Sequence, residues 1–269
     1  MTAISWDQTG ERRFETGLDR GVLYPDSVSG VAWNGLIGVN DNTSGGEATP
    51  YFADGVKYAN VPDGEDFSGT IEAYTYPVEF ELFDGYEEVY AGVFLGQQER
   101  NSFGMSYRTK VGNDVEGADL GYKLHLLYNV LVSPAERNHA TQSDDPEAMT
   151  FSWDFTTTPI NFGMGTKPMA HIVFDSTKIN SLILAQFEEI LYGTPTSSPR
   201  ILTPYDIISL FETILPGYFG IDEDPISGIN LLVAGGGSDL KLSGVDGLYL
   251  TTPASRLVED ETGLYTLEG

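Results

Sequence analysis

The sequence predicts a mainly β protein, a sandwich or barrel with one packed α-helix and a short second helix. Three observations predict it. The 31 glycines and 14 prolines are spread along all 269 residues, as turns between short strands require. The middle of the chain carries several runs in which apolar and polar residues alternate with period two. Only two stretches, both late in the chain, read as helices.

Residues 7–66 read as a turn-rich arm with short extended pieces, since GVLYPDS, WNGLIGVNDNTSGGEATP and VPDGED are dense in turn formers. Trp33, Leu36, Ile37 and Val39 are expected to anchor it, either to a core or to a neighbouring molecule. A loop of this length is uncommon inside a domain, so it either hides short strands or reaches onto another subunit.

From about Thr70 the strand signals strengthen. Val78, Phe80 and Leu82 alternate with Glu79 and Glu81, and Asp84-Gly85 follows as a turn. Phe103, Met105 and Tyr107 alternate with Gly104, Ser106 and Arg108. Tyr122 to Val132 is the longest extended run, with Tyr122, Leu124, Leu126 and Tyr128 on one side. Met149 to Phe155 alternates again, and Ala170 to Phe174 reads as a further short strand.

In STKINSLILAQFEEILYG the apolar residues Ile179, Leu182, Ile183, Phe187, Ile190 and Leu191 fall at helical spacing. Asp175, Ser176 or Thr177 is expected to cap its start and Gly193 its end. A second helix is expected from Thr203 as N-cap and Pro204 as first residue, with Asp206 in the dipole-favoured first turn, ending before Pro216. Past Gly228 the pattern returns to β in INLLV, DLKLS and GLYLTT, closing with a hairpin around Asp260 to Gly263. Residues 1–215 are therefore read as the main domain, with its arm at 7–66. Residues 216–269 are either its final strands or a small appended module.

Composition narrows the functional classes. There is no cysteine, which removes disulfides, thiolate metal sites and cysteine nucleophiles. The N-terminal residues hold no apolar signal region and no stretch approaches 18 apolar residues, so synthesis in the cytoplasm without a membrane anchor is expected. Forty acidic residues face 14 basic ones, a net charge of -26, which argues against a basic phosphate-binding surface. From Val61 to Glu99 there are ten acids and no Lys or Arg. This is either a well-solvated face or a surface that stays near a polyanion without holding it.

Catalytic patterns are missing. His125, His139 and His171 stand in no close ligand spacing, and no phosphate loop, nucleophile elbow or EF-hand loop occurs. His125 is expected as a hydrogen-bonded strand residue and His139 as a solvated one. No catalytic residue, cofactor or metal is assigned. Carboxylate pairs and stacking aromatics are abundant enough for sugar chemistry, but their spacing does not point to it.

Seven segments carry a resemblance: GLDRGVLYP (17–25), GVAWNGLIGV (30–39), YFADGVKY (51–58), IEAYTYPVEFE (71–81), FGMSYRT (103–109), GNDVEGADLGYKLHLLYN (112–129) and FSWDFTTTP (151–159). In this order the chain resembles the major tail protein, or tail tube protein, of siphophages, especially those infecting actinobacteria. Beyond about Lys178 the likeness thins to a helix followed by strands.

The resemblance implies a bacteriophage structural protein rather than an enzyme: a subunit forming stacked hexameric rings whose strands build a continuous inner barrel. It implies further copies of the chain as the main partner, and the tape measure protein and phage DNA in the lumen without specific binding. Tail terminator and baseplate or tail-tip proteins would sit at the ends, in the tail of the virion, after assembly in the host cytoplasm. No active site comes with it. Glu72, Glu79 and Glu81 are the expected channel-lining residues, and Trp33, Tyr51 and Phe52 the expected contacts between rings. A negative wall repels DNA only within about 8 Å at physiological salt, which permits sliding during ejection. The alternatives are a tail terminator or capsid decoration protein and, from another class, a carbohydrate-binding or carbohydrate-active protein.

Overall fold

The computed structural model describes residues 4–62, 64–137, 139, 141, 148–214, 256–259 and 265–268. The chain divides into two compact units, Met1–Pro216 and Gly217–Gly269. The first is mainly β with two helices.

The region expected as an arm is built of strands. It holds β1 (Phe14–Tyr24), β2 (Val31–Ala32), β3 (Leu36–Gly45), β4 (Ala48–Ala53), β5 (Val56–Pro62) and the start of β6 (Glu65–Ala73). The turn residues that suggested irregularity sit between these strands and at their bulges, as where β1 shifts register on its partner between Asp19 and Val22. Downstream follow β7 (Glu87–Tyr90), β8 (Val93–Leu95), β9 (Phe103–Asn113), β10 (Gly117–Val132), β11 (Phe151–Thr157) and β12 (His171–Asp175).

Eight strands form one antiparallel sheet in the order β2-β1-β9-β10-β11-β6-β3, with β12 also paired to β10. β10 changes partner along its length. Residues 123–127 pair with β12, while Val130 to Val132 pair with β11. The switch falls at Asn129, whose φ is +48°, and at a register shift against β9. The sheet then curls until β3 returns to β1. A side chain at Gly21 would start 2.8 Å from Leu36 Cδ2 and 3.4 Å from Trp33 Cβ, so glycine lets the two strands approach without displacing Leu36.

Both faces of the central strands are buried, on different cores. Along β1, Leu23 enters one core while Val22 and Tyr24 enter the other. Along β10, Leu124, Leu126 and Tyr128 share a face as expected, and Leu127, Val130 and Val132 lie on the opposite one. The run LHLLYNVLV lacks alternation for this reason. The first core lies inside the curl and is aromatic, with Trp33, Phe80, Phe103, Tyr107, Trp153 and Phe155. Trp153 meets Phe80 at 4.9 Å and Tyr76 at 5.4 Å between ring centroids, both edge-on, the arrangement ring quadrupoles favour.

The second core is closed by α1 (Ser181–Tyr192) and α2 (Pro204–Ile214). α1 buries Ile183, Leu184, Phe187 and Leu191. Burial of each such side chain contributes about 1.5–3 kcal/mol. Leu182, expected in the stripe, is exposed, and Leu184 takes its place. The helix also starts later than expected, with Asn180 as its N-cap accepting from Leu182 N at 2.9 Å. Asp175 instead accepts from Thr177 N and Oγ1, forming a separate turn that ends β12. Gly193 closes α1 at φ +76°, where a Cβ would meet Pro199 at 2.9 Å.

α2 begins as expected. Thr203 Oγ1 accepts from Asp206 N at 3.2 Å, and Asp206 Oδ2 accepts from Thr203 N at 2.8 Å, a reciprocal cap. Arg200 grips the same carboxylate with two bonds of 2.7 and 2.8 Å, which holds the Asp206 acid down to about 2.

The expected strand Val78–Leu82 is not a strand. Pro77 starts a single 3-10 turn over Val78–Phe80, with Phe80 N bonded to Pro77 O and Glu81 N to Val78 O. Phe80 and Phe83, three apart, enter the core, while Val78 stays 68 % exposed. The apolar spacing that matters here is three, set by a turn that the proline initiates, and the alternation of Val78, Phe80 and Leu82 is incidental.

In the second unit, Arg256–Glu259 (β13) pairs with Tyr265–Glu268 (β14), matching the expected closing hairpin. The expected strands INLLV, DLKLS and GLYLTT lie outside the described residues.

Candidate functional site

Three groups of residues stand out against this frame: two exposed hairpins, one acidic sheet face, and a cluster of titratable side chains at the end of the aromatic core.

Among the described residues β4 pairs only with β5, apart from the main sheet, and extends the β3–β6 ladder past the Gly45–Glu65 pair. Tyr51, Phe52, Val56, Tyr58 and Val61 on it are all exposed. The β7–β8 hairpin is similar, with Val89, Tyr90, Val93, Phe94 and Leu95 exposed. Two-stranded hairpins are marginal alone in water, and clustered exposed apolar side chains mark association surfaces.

On β6 the even positions point away from the core. Glu72 lies opposite Ser152 of β11 and Gly38 of β3, and Thr70 opposite Asp154 and Asn40. Asp66 faces Ser44 on the same side. This face carries no Lys or Arg on the three strands. Thr70 Oγ1 donates to Asp154 Oδ1 at 2.9 Å.

The acid-rich segment from 61 to 99 is not uniformly solvated. Asp84 is 4 % exposed and pairs with Arg100 at 3.7 Å and with Arg137. Arg100 also donates to the Asp84 carbonyl at 2.8 Å, and Arg137 lies over the rings of Tyr76 and Tyr86. Two arginines thus fasten the 3-10 turn and the base of β7–β8 to the core. Asp84→Ala leaves two guanidinium groups without their buried counter-charge. It is expected to cost about 3 kcal/mol of unfolding free energy, measured by urea titration.

At the far end of the aromatic core, folding joins what the spacing kept apart. His125 Nδ1 lies 3.1 Å from His171 Nε2, although 46 residues separate them. The two belong to paired strands, with Leu127 opposite His171 and His125 opposite Val173, so they are diagonal neighbours on one face. Their rings stack in a column, Tyr107 against His125 at 4.6 Å and His125 against His171 at 5.3 Å. Phe67 packs on His171 at 4.7 Å. His125 Nε2 meets Thr109 Oγ1 at 3.0 Å, and Tyr107 donates to Asp41 Oδ1 at 3.2 Å. Burial pushes the His125 imidazole down to about 4, with the neighbouring His171 adding to it, and burial lowers His171 as well. His125 is hydrogen-bonded within a strand as expected, and His139 is exposed.

No protein-family model matches the chain, and no curated protein matches it. Among solved structures it is similar to a chain of the anti-feeding prophage (AFP) baseplate, 9% identical, covering 65% of this chain and 100% of that one at a TM-score of 0.33. It is similar to a chain of the sheath/tube terminator of an extracellular contractile injection system, PVC, at 11% identity, 64% and 99% coverage and a TM-score of 0.32. A chain of the sheath-tube complex of that system is 15% identical, with 58% and 88% coverage and a TM-score of 0.27. Likeness of this degree assigns no function.

The expected site residues fall in different places. Glu72 is on the outer face of β6. Glu79 is exposed on the 3-10 turn, and Glu81 follows that turn, where its Oε1 accepts from Tyr76 Oη at 3.0 Å. Neither lies on a strand. Tyr51 and Phe52 are exposed on β4. Trp33 is the correction. At 3 % exposure it belongs to its own core, 4.7 Å from Phe80, with its indole N–H donated to Thr75 O, so it has no surface to offer a neighbour. The β7–β8 hairpin and the Asp41–His125–His171 cluster carried no sequence signal. The hairpin lay in a run read only for charge, and the cluster joins residues from three strands.

Proposed function

We propose that the chain is the tail tube subunit of a long-tailed bacteriophage, a structural protein of the virion and not an enzyme. It polymerises as stacked hexameric rings around a channel for DNA. The observation that carries this reading is the β4–β5 hairpin. It presents a row of aromatic and β-branched side chains that its own unit leaves uncovered, in a position to pack on another copy. The seven resembling segments support the same reading, since one of them, YFADGVKY, is the tip of this hairpin.

In this arrangement the β11-β6-β3 face lines the lumen, with Asp66, Glu72 and Asp154 as its charges. Repeated around the ring, they keep the DNA backbone at a distance and leave no phosphate contact to break during transit. Tape measure protein and DNA occupy the lumen, and terminator and tip proteins close the ends.

Electron microscopy of the purified chain tests the reading. Rods of uniform width or stacks of rings are expected. Single rings that never stack would favour a terminator. A protein that stays monomeric at high concentration, and is absent from virions, overturns the proposal.

A further inference from the structure

We infer that Asp41, His125 and His171 form a binding site for a first-row divalent metal ion of the zinc type. One carboxylate oxygen of Asp41 and one ring nitrogen of each histidine lie within 4.8 Å of one another. The two nitrogens that face each other, His125 Nδ1 and His171 Nε2, are 3.1 Å apart. An ion bound to both at about 2.05 Å would see them at an angle of about 100°, between octahedral and tetrahedral values. Two imidazoles and a carboxylate suit zinc and its neighbours, whereas calcium and magnesium prefer all-oxygen shells.

The surroundings are those of a site with its ligands held in place. Thr109 Oγ1 lies 3.0 Å from His125 Nε2, and in the tautomer that carries its proton on Nε2 the hydroxyl accepts it and the lone pair is on Nδ1, the atom that faces His171. Tyr107 Oη donates to Asp41 and orients the carboxylate. Tyr107 stacks on His125 and Phe67 packs at a tilt on His171, contacts that limit the rotation of both imidazoles. The ion has a way in, because His171 opens onto a cleft lined by Thr43, Glu65, Phe67 and Met169. Three protein ligands leave a position for water. Bound there, the ion would clasp β3, the last strand of the curled sheet, to β10 and β12. This inference does not rest on the assembly reading.

The test uses the full chain after dialysis against a chelator, titrated with zinc chloride by calorimetry and followed by thermal unfolding. One zinc per chain and a raised Tm are expected. His171→Ala and Asp41→Asn should each weaken binding by about tenfold or more, while His139→Ala leaves it unchanged. Both positions are at least partly open to solvent, so circular dichroism should report an unchanged fold. Cobalt(II) gives a second readout, since d–d bands should appear in the parent chain and vanish in His171→Ala. No saturable binding at about 100 μM zinc, far above the affinity of an ordered three-ligand site, overturns the proposal. Binding that survives His171→Ala, that His139→Ala removes, or that Asp41→Asn leaves untouched overturns it equally.

Discussion

Trp153→Ala should lose about 4 kcal/mol of unfolding free energy, out of the roughly 5–15 kcal/mol that holds a domain of this kind together. Trp153 is fully buried on β11, at the point where the curled half of the sheet meets the central strands. Its ring touches Trp33, Tyr76, Phe80 and Phe151, so truncation opens a cavity at the centre of the aromatic core. Neighbours held by edge-on contacts on several strands have little freedom to collapse into it. Trp153→Phe separates volume from polarity. The indole N–H is buried with no hydrogen-bond partner among the described residues, so its removal forfeits no bond seen there and the smaller aromatic keeps most contacts. That variant should stay within about 1.5 kcal/mol of the parent in urea unfolding. Equal losses for both substitutions would show that the site does not depend on ring volume.

Replacing residues 47–63 with an Asn-Gly turn should leave a folded subunit that no longer forms tubes. Gly45 and Glu65 are directly paired and Gly46 N bonds to Gly64 O at 3.1 Å, so a two-residue turn closes the ladder where β3 and β6 already meet. The excised hairpin belongs to neither core. Its loss should therefore leave the urea midpoint nearly unchanged while sedimentation and microscopy find subunits in place of rods. Phe52→Asp with Tyr58→Asp on the intact hairpin should act in the same direction by placing charge in the contact. Full-length tubes from the excised variant would remove the hairpin from the assembly interface.

How much of this was legible depended on the range of the forces concerned. The cap at Thr203–Asp206 and the end of α1 at Gly193 were readable because the interacting groups lie within a turn of each other. The face of β10 bearing Leu124, Leu126 and Tyr128 was readable because pleating alone sets it. Residues 78–82 misled because a five-residue alternation carries less information than one proline, and the partner of Phe80 is Trp153, far away in sequence. The arm at 7–66 stayed open between hidden strands and a reach onto another subunit for a related reason. Its strands have glycine-rich and polar edges, and only pairing with β9 and β6 makes them strands.

The sequence by itself determined the mainly β class, both helices, the acidity of the surface and the absence of thiol chemistry, since each follows from composition or from neighbours along the chain. Tertiary structure alone decided the rest. It placed Trp33 in the core, buried Asp84 between two arginines, left the two hairpins uncovered, and brought Asp41, His125 and His171 together. These outcomes depend on which strands pair and how the sheet curls. That choice is made by burial summed over the whole unit, to which no local pattern is sensitive.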